Sequence, residues 1–376
     1  MSWMACNRRE FVARAASAVL GACVLPASAA GLAGQRTASR RDVPWLEDVL
    51  QPPGGEPGPS PALAPLLVDA EGRSIATLEQ WTRRRTELAR GWRDFLGGLE
   101  FPRRRPPRVA VVEEDRVGDV VRQRVRYRVE RDAETEAYVL MPTVGGGKYP
   151  GAIVFHSTTP ESIRQPAGLA DVPEKHFGLA LARRGFVAFC PRNFLWPETA
   201  RMDADGETRR FHERHPRTRG MARMLYDGRI AVDILTAMRG VDSTRIGCIG
   251  HSLGAKEALY LAAFDTRITA AVSSEGGIGI AMSNWDAEWY LGSAVKQPAF
   301  RREHHELIAL AAPRPFLLVG GDSADGAASW PWVDAALPVY RLYGAPPRLG
   351  LLRHKGGHAV PPEIEPRLLE WIETYA

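Results

Sequence analysis

The chain has 376 residues, 45% of them apolar and 25% charged, with 36 Gly, 29 Pro and 4 Cys. That is enough for one large domain or two small ones, too apolar for a disordered chain and too poor in cysteine for a disulfide scaffold. The net charge of +5 comes from 49 basic residues, 5 of them Lys, spread evenly along the chain. The densest run, Arg103-Arg104-Arg105, has no interleaved aromatics that could stack on bases, so nucleic acid is set aside as a partner.

The N-terminus reads Asn7-Arg8-Arg9-Glu10-Phe11-Val12, followed by a mildly apolar run to Leu25 and then Pro26-Ala27-Ser28-Ala29-Ala30. Paired arginines, a modest apolar segment and an A-x-A site resemble a twin-arginine export signal over residues 1–29. The run is too short to span a bilayer, and no later stretch has eighteen uncharged apolar residues. The expected location is therefore the periplasm or the medium. Within the same segment Leu20-Gly21-Ala22-Cys23 resembles a lipobox, which would anchor the protein by a lipid on Cys23 and is the one route here to a membrane. After cleavage at Ala29 only Cys190 and Cys248 remain, each inside an apolar run that suits a small buried hydrophobe.

Residues 30–107 read as an N-terminal extension. Its first half is rich in Pro, Gly, Ala and Ser, as in Gln51-Pro52-Pro53-Gly54-Gly55-Glu56-Pro57, and reads as a linker. Its second half places Trp81, Leu88, Trp92, Phe95 and Leu96 at helical spacing, which predicts an amphipathic helix over 77–97. From residue 108 the pattern changes. Val109–Val112, Val120–Val129 and Ala137–Met141 read as antiparallel strands. Short buried strands then alternate with helices: Ala152–Phe155, Val187–Cys190, Arg245–Ile249, Ala270–Ser273, Phe316–Val319 and Leu349–Leu352, with helices near 174–184, 221–239, 253–263, 330–343 and 362–375. This rhythm predicts an α/β domain over 108–376 with a mostly parallel, doubly wound sheet covered on both faces. Insertions at 191–220 and 276–312 follow the carboxyl ends of strands, where such sheets bind ligands.

The sharpest chemical signal is Gly250-His251-Ser252-Leu253-Gly254, set between the strand 245–249 and a helix. G-x-S-x-G in that context forces the serine into a tight turn and lifts its hydroxyl above the sheet, resembling the nucleophile elbow of the α/β-hydrolase fold. Ser252 is the expected nucleophile, and it needs a base oriented by an acid. In that fold the base comes last in the chain. The loop after the final strand holds His354 and His358; Gly357-His358 before the last helix favours His358, leaving His354 for packing or a supporting hydrogen bond. Three carboxylates stand at suitable strand ends. Spacing past the strand 316–319 favours Asp325, then Asp322, while Glu275 follows the preceding strand, the alternative origin. The oxyanion requires two backbone donors: the Leu253 N–H, and one from Ser157 or Thr158 in the loop after the strand 152–155. His156 could line the same pocket, and Trp196, Trp285 and Trp289 in the insertions could stack on sugar rings. The histidine spacings in 212–215 and 304–306 do not match a metal site, so neither a metal nor another cofactor is expected.

The run from Gly250 to Leu259, then Ala262-Ala263-Phe264-Asp265-Thr266-Arg267-Ile268, Ser274-Glu275-Gly276-Gly277 and the segment from His305 to Pro315 resemble the acetyl xylan esterase, glucuronoyl esterase and dienelactone-hydrolase-like group. The resemblance extends over roughly 135–376. It implies a serine esterase acting on a small-molecule or polysaccharide ester, with acetyl or uronoyl esters of carbohydrates as the leading class. Two departures bear on substrate. Glucuronoyl esterases place an arginine directly after the serine, where Leu253 stands here, and dienelactone hydrolases proper use cysteine where Ser252 stands. Two other readings share the motifs: a serine peptidase of the prolyl oligopeptidase type, for whose propeller the chain lacks length, and a non-catalytic hydrolase-fold protein that binds saccharide.

Overall fold

The computed structural model describes residues 42–54, 61–99, 106–130, 133–145, 147–197, 201–344 and 346–376. The export signal, the lipobox with Cys23, and residues 103–105 lie outside these. In chain order the elements are α1 (Leu46–Val49), α2 (Leu78–Leu96), β1 (Val109–Val117), β2 (Val120–Glu130), β3 (Ala133–Pro142), β4 (Tyr149–Phe155), α3 (Phe177–Arg183), β5 (Val187–Pro191), α4 (Ala204–Arg214) and α5 (Gly220–Ala237). They continue with β6 (Val241–His251), α6 (Leu253–Phe264), β7 (Ile268–Ser274), α7 (His305–Ala311), β8 (Phe316–Gly320), α8 (Trp330–Arg341), β9 (Leu349–Arg353) and α9 (Glu365–Tyr375).

Among the described residues, the nine strands join one sheet in the order β1-β2-β3-β5-β4-β6-β7-β8-β9. Strands β1 to β3 form an antiparallel meander, β3 pairs antiparallel with β5, and the strands from β5 through β9 run parallel. The parallel strands are buried along most of their length, β6 from Ile246 onward, which is why they read as continuous apolar runs. Alternate residues face opposite cores. Ile153 and Phe155 of β4 pack with α2, α5, α6, α7 and α8. Ala152 and Val154 pack with α1, α3 and α9.

After β4 the chain winds outward through β5, then returns to β6 on the other side of β4. The carboxyl ends of β4 and β6 therefore stand side by side at the point where the winding reverses, with Phe155 paired to Gly250. Ligands of open α/β sheets bind at such a switch point, and both the elbow and the loop 156–158 start there.

The described parts of the extension, residues 42–54 and 61–99, belong to the same compact unit as the sheet. Helix α2 is capped by Thr77, whose Oγ1 accepts from the Gln80 N–H at 3.3 Å while the Gln80 side chain accepts from the Thr77 N–H at 3.1 Å. It buries Trp81, Leu88, Trp92 and Leu96. The Trp92 indole stacks on His304 with centroids 5.5 Å apart and donates Nε1–H to Glu306 Oε2 at 2.6 Å. Trp92→Ala is expected to cost about 3–5 kcal/mol of stability, as a large aromatic truncated in a packed core does. Chemical denaturation checks this; a loss under about 1 kcal/mol would mean the helix is only loosely docked.

The sequence reading gave no helices at α4 and α7. Helix α4 lies in the insertion 191–220 and is polar apart from Phe211, so it has almost no apolar period to read. Helix α7 has the opposite problem: all seven residues are buried, leaving no polar face. No helix among the described residues is long and apolar enough to cross a membrane. Cys190 and Cys248 are buried free thiols.

Candidate active site

Ser252 stands between β6 and α6 with φ 58° and ψ −115°, a left-handed backbone that a serine adopts only under constraint. Its neighbours impose the turn. A Cβ on Gly250 would sit 2.2 Å from the Gly254 backbone, and one on Gly254 would sit 2.7 Å from the Phe155 carbonyl oxygen. Only glycine at both positions lets strand and helix close this tightly. The Ser252 N–H donates to the Ser274 carbonyl at 2.8 Å, tying the turn to β7.

His358 comes from the loop between β9 and α9, and its Nε2 lies 2.9 Å from Ser252 Oγ. Its other ring nitrogen, Nδ1, is 3.6 Å from Glu275 Oε2, within ion-pair range though longer than a hydrogen bond. Glu275 directly follows β7 with φ 56°. Its carboxylate is buried and accepts three backbone N–H groups, from Gly321, from Ala324 at 2.8 Å and from Asp325 at 3.1 Å. A carboxylate held this way has its charge satisfied and its oxygens fixed.

The other two carboxylates point elsewhere, contrary to the preference that loop spacing gave them. Asp325 turns inward, accepting from the N–H groups of Gly277 (2.7 Å) and Ile278 (2.8 Å) and from Ser329 Oγ (2.8 Å). Burial raises its pKa, and its contacts fix the start of the insertion 276–312. Asp322 pairs with Arg353 at 2.6 Å on the surface, and that hydrogen-bonded guanidinium lowers its pKa. His354 remains beside its strand, its Nδ1 accepting the Gly356 N–H at 3.0 Å.

Two of the candidate oxyanion donors have backbone N–H groups with no partner among the described residues. Leu253 is the first residue of α6, where the helix leaves its N–H groups unsatisfied and the macrodipole is positive. Of the two candidates in the loop after β4, the Ser157 N–H is already engaged by Gln165 Oε1 at 2.9 Å. Thr158 is exposed, and its N–H has no partner among the described residues.

The remaining pocket candidates are mostly structural in their contacts. His156 is 1% exposed; its Nε2 accepts the Asn193 N–H at 3.1 Å, and Nδ1 is 2.8 Å from the Ser157 carbonyl. Burial lowers its pKa to about 4, so the ring is neutral and braces the loop. Trp196, 3% exposed, packs edge-on against His156 and donates to the Thr159 carbonyl at 3.1 Å. Trp285, 1% exposed, donates to the Gly277 carbonyl at 2.6 Å and packs on His304. Both indoles are nearly fully buried: Trp196 ties its insertion to the loop after β4, and Trp285 packs on Tyr260 of α6. Trp289 is half-buried and retains accessible surface.

One group near the elbow escaped the sequence reading. Lys256, a helical turn beyond Ser252, is buried with Nζ 3.9 Å from the Trp285 ring centroid and 2.8 Å from Ser283 Oγ. Burial lowers its pKa to about 7, against partial support from Asp325. The unfolded chain, with an ordinary lysine pKa, holds the proton well above pH 7 while the folded one releases it. Stability contributed by this site therefore rises as pH climbs from about 7. Relative to Lys256→Met, wild type is expected to gain about 2–3 kcal/mol between pH 6 and pH 9, measured by denaturation across that range. A pH-independent difference would show that the amine is not desolvated.

The sheet, the elbow and the three converging side chains define an α/β-hydrolase fold. Residues 135–300 match the model of the Dienelactone hydrolase family. No curated protein matches in sequence. Among solved structures, a glucuronoyl esterase from Solibacter usitatus aligns with TM-score 0.69 and 16% identity over 84% of this chain and 98% of its own. A glucuronoyl esterase from Teredinibacter turnerae aligns with TM-score 0.63 and 20% identity over 83% and 88%. A putative acetyl xylan esterase from Bacteroides fragilis gives 0.57 and 15% over 80% and 81%. At these identities the neighbours establish the fold. The resemblance drawn from the elbow and the segments after it is borne out, and the family match supports a carboxylic ester hydrolase.

Proposed function

We propose that the protein is an exported serine esterase that cleaves carboxylic esters of carbohydrates through an acyl-enzyme on Ser252. The observation that carries this is the 2.9 Å approach of His358 Nε2 to Ser252 Oγ in a strained elbow. His358 Nε2 takes the Oγ proton as Oγ attacks the ester carbonyl carbon. The tetrahedral oxyanion sits between the N–H groups of Leu253 and Thr158. Collapse breaks the bond to the alcohol oxygen, which leaves with the proton from Nε2. Water then attacks the acyl carbon, passes a proton to Nε2, and the acid departs as the proton returns to Oγ. Glu275 holds the imidazole in orientation and stabilises its positive form.

The side chain of Leu253 is buried and aliphatic, so no guanidinium is offered to the oxyanion at that position. This favours acetyl and simple carboxylic esters over uronoyl esters, although the neighbouring folds include glucuronoyl esterases. Residues 1–29 would direct export, with 30–107 serving as an extension built onto the catalytic domain. The test is turnover of acetylated xylo-oligosaccharide, benzyl glucuronoate and a prolyl peptide amide by the purified mature protein. Ester cleavage with no peptide cleavage is expected. Peptide cleavage would favour a peptidase, and saccharide binding without turnover would favour a non-catalytic role.

A further inference from the structure

The residue before the nucleophile is a histidine, 1% exposed, in a turn whose tightness is set by the glycines around it. A buried imidazole is costly unless both nitrogens are bonded. In His251 both are: Nδ1 lies 3.1 Å from Ser274 Oγ, and Nε2 lies 3.2 Å from the carbonyl oxygen of His358. A carbonyl can only accept, so Nε2 carries the proton and Nδ1 takes the Ser274 hydroxyl proton. Burial first, then the charges of Lys175, His358 and His354, push its pKa well below the usual histidine range and keep this one-donor, one-acceptor form.

The three segments tied by this ring are the three that bear the proposed triad. His251 is bonded in chain to Ser252. Its register partner Ser274 immediately precedes Glu275, and its third contact is the backbone of His358 itself. The base loop needs such a tether. Its other backbone ties are at His354, to Gly320 (2.9 Å), and at Gly357, to Gly321 (3.0 Å). Two flexible glycines, Gly356 and Gly357, directly precede His358. At 3.6 Å the contact to Glu275 does not by itself fix the ring.

We propose that His251 is a positioning residue, which sets the reach of His358 to Ser252 by holding the His358 carbonyl against the end of β7. The inference rests on the reading of Ser252 as nucleophile. Displacing a reacting group by about 1 Å costs on the order of a hundredfold. It is tested with His251→Phe, His251→Gln and Ser274→Ala, measuring the rate of labelling by a fluorophosphonate, kcat and KM for 4-nitrophenyl acetate, and Tm. His251→Phe is expected to lose about 10- to 100-fold in labelling rate and kcat, with KM changed less than about twofold. The amide of His251→Gln can donate to the same carbonyl and should recover to within about fivefold of wild type. Wild-type labelling and kcat in His251→Phe, or equal losses in the Phe and Gln variants, would overturn the proposal. If the Phe variant does not fold, Ser274→Ala replaces it. A loss of about five- to tenfold there, with the Gln variant near wild type, supports the tether, and no loss overturns it. Wild type that is not labelled at all overturns the nucleophile reading and this inference with it. Labelled wild type that ignores carbohydrate esters overturns the substrate class alone.

Discussion

Ser252→Ala is expected to lose at least about ten-thousandfold in kcat for any ester the wild type cleaves, while KM and Tm stay close to wild type. The hydroxyl is the only atom removed. The turn is imposed by Gly250 and Gly254 and by the bond from the Ser252 N–H to Ser274, none of which needs the side chain. Alanine has a Cβ like serine, so the left-handed strain at φ 58° is unchanged. His358 would retain its tie through its own carbonyl. The loss should therefore fall on chemistry alone. Steady-state kinetics with thermal denaturation read it directly, and a variant retaining a tenth of the activity would remove Ser252 from the mechanism.

The second large effect separates the three acids. Glu275→Gln should lower kcat by about 10²- to 10⁴-fold, because a neutral amide neither favours the working tautomer of His358 nor stabilises its imidazolium. The amide NH₂ would also take the place of one of the two accepting oxygens, facing either the Gly321 N–H or those of Ala324 and Asp325, so some loss of stability accompanies it. Asp325→Asn should show the reverse balance. It loses charge-assisted hydrogen bonds that hold the insertion 276–312, costing about 1.5–3 kcal/mol, with kcat of the folded enzyme reduced less than about tenfold. Asp322→Asn touches a surface pair with Arg353 and an exposed hydrogen bond from the Ala327 N–H at 3.2 Å, and should change neither by much. A hundredfold kcat loss confined to Asp325→Asn would transfer the orienting role from Glu275.

What the sequence could and could not disclose follows from the kind of signal each residue gives. The strands around the site were legible because a parallel strand buried on both faces leaves an unbroken apolar run, as in Ile246–Ile249 and Phe316–Val319. The elbow was legible because steric demand at 250 and 254 is written as two glycines. His358 could be found because only two histidines stand on the last loop. The acid resisted because spacing along a loop does not say which way a side chain turns. Asp325 lies at the expected distance but faces Gly277 and Ile278, whereas Glu275 is aimed at His358 by a left-handed backbone that no sequence pattern announces. The burial of Trp196 and Trp285 could not be read from the sequence for a related reason. An aromatic in an insertion above the sheet reads the same whether it faces solvent or, like Trp285, bonds inward to the insertion's own backbone. Ser157 and Thr158 could not be told apart without seeing that Gln165 occupies the first N–H.

The measurement that tests the account most directly is labelling of the purified mature protein with a fluorophosphonate, followed by mass-spectrometric mapping of the modified residue, alongside turnover of 4-nitrophenyl acetate. A serine whose Oγ is activated by His358 should take up one equivalent, located on Ser252, with loss of turnover in proportion to labelling. A folded protein that neither labels nor turns over the ester, or one that labels at a residue other than Ser252, would contradict the catalytic assignment.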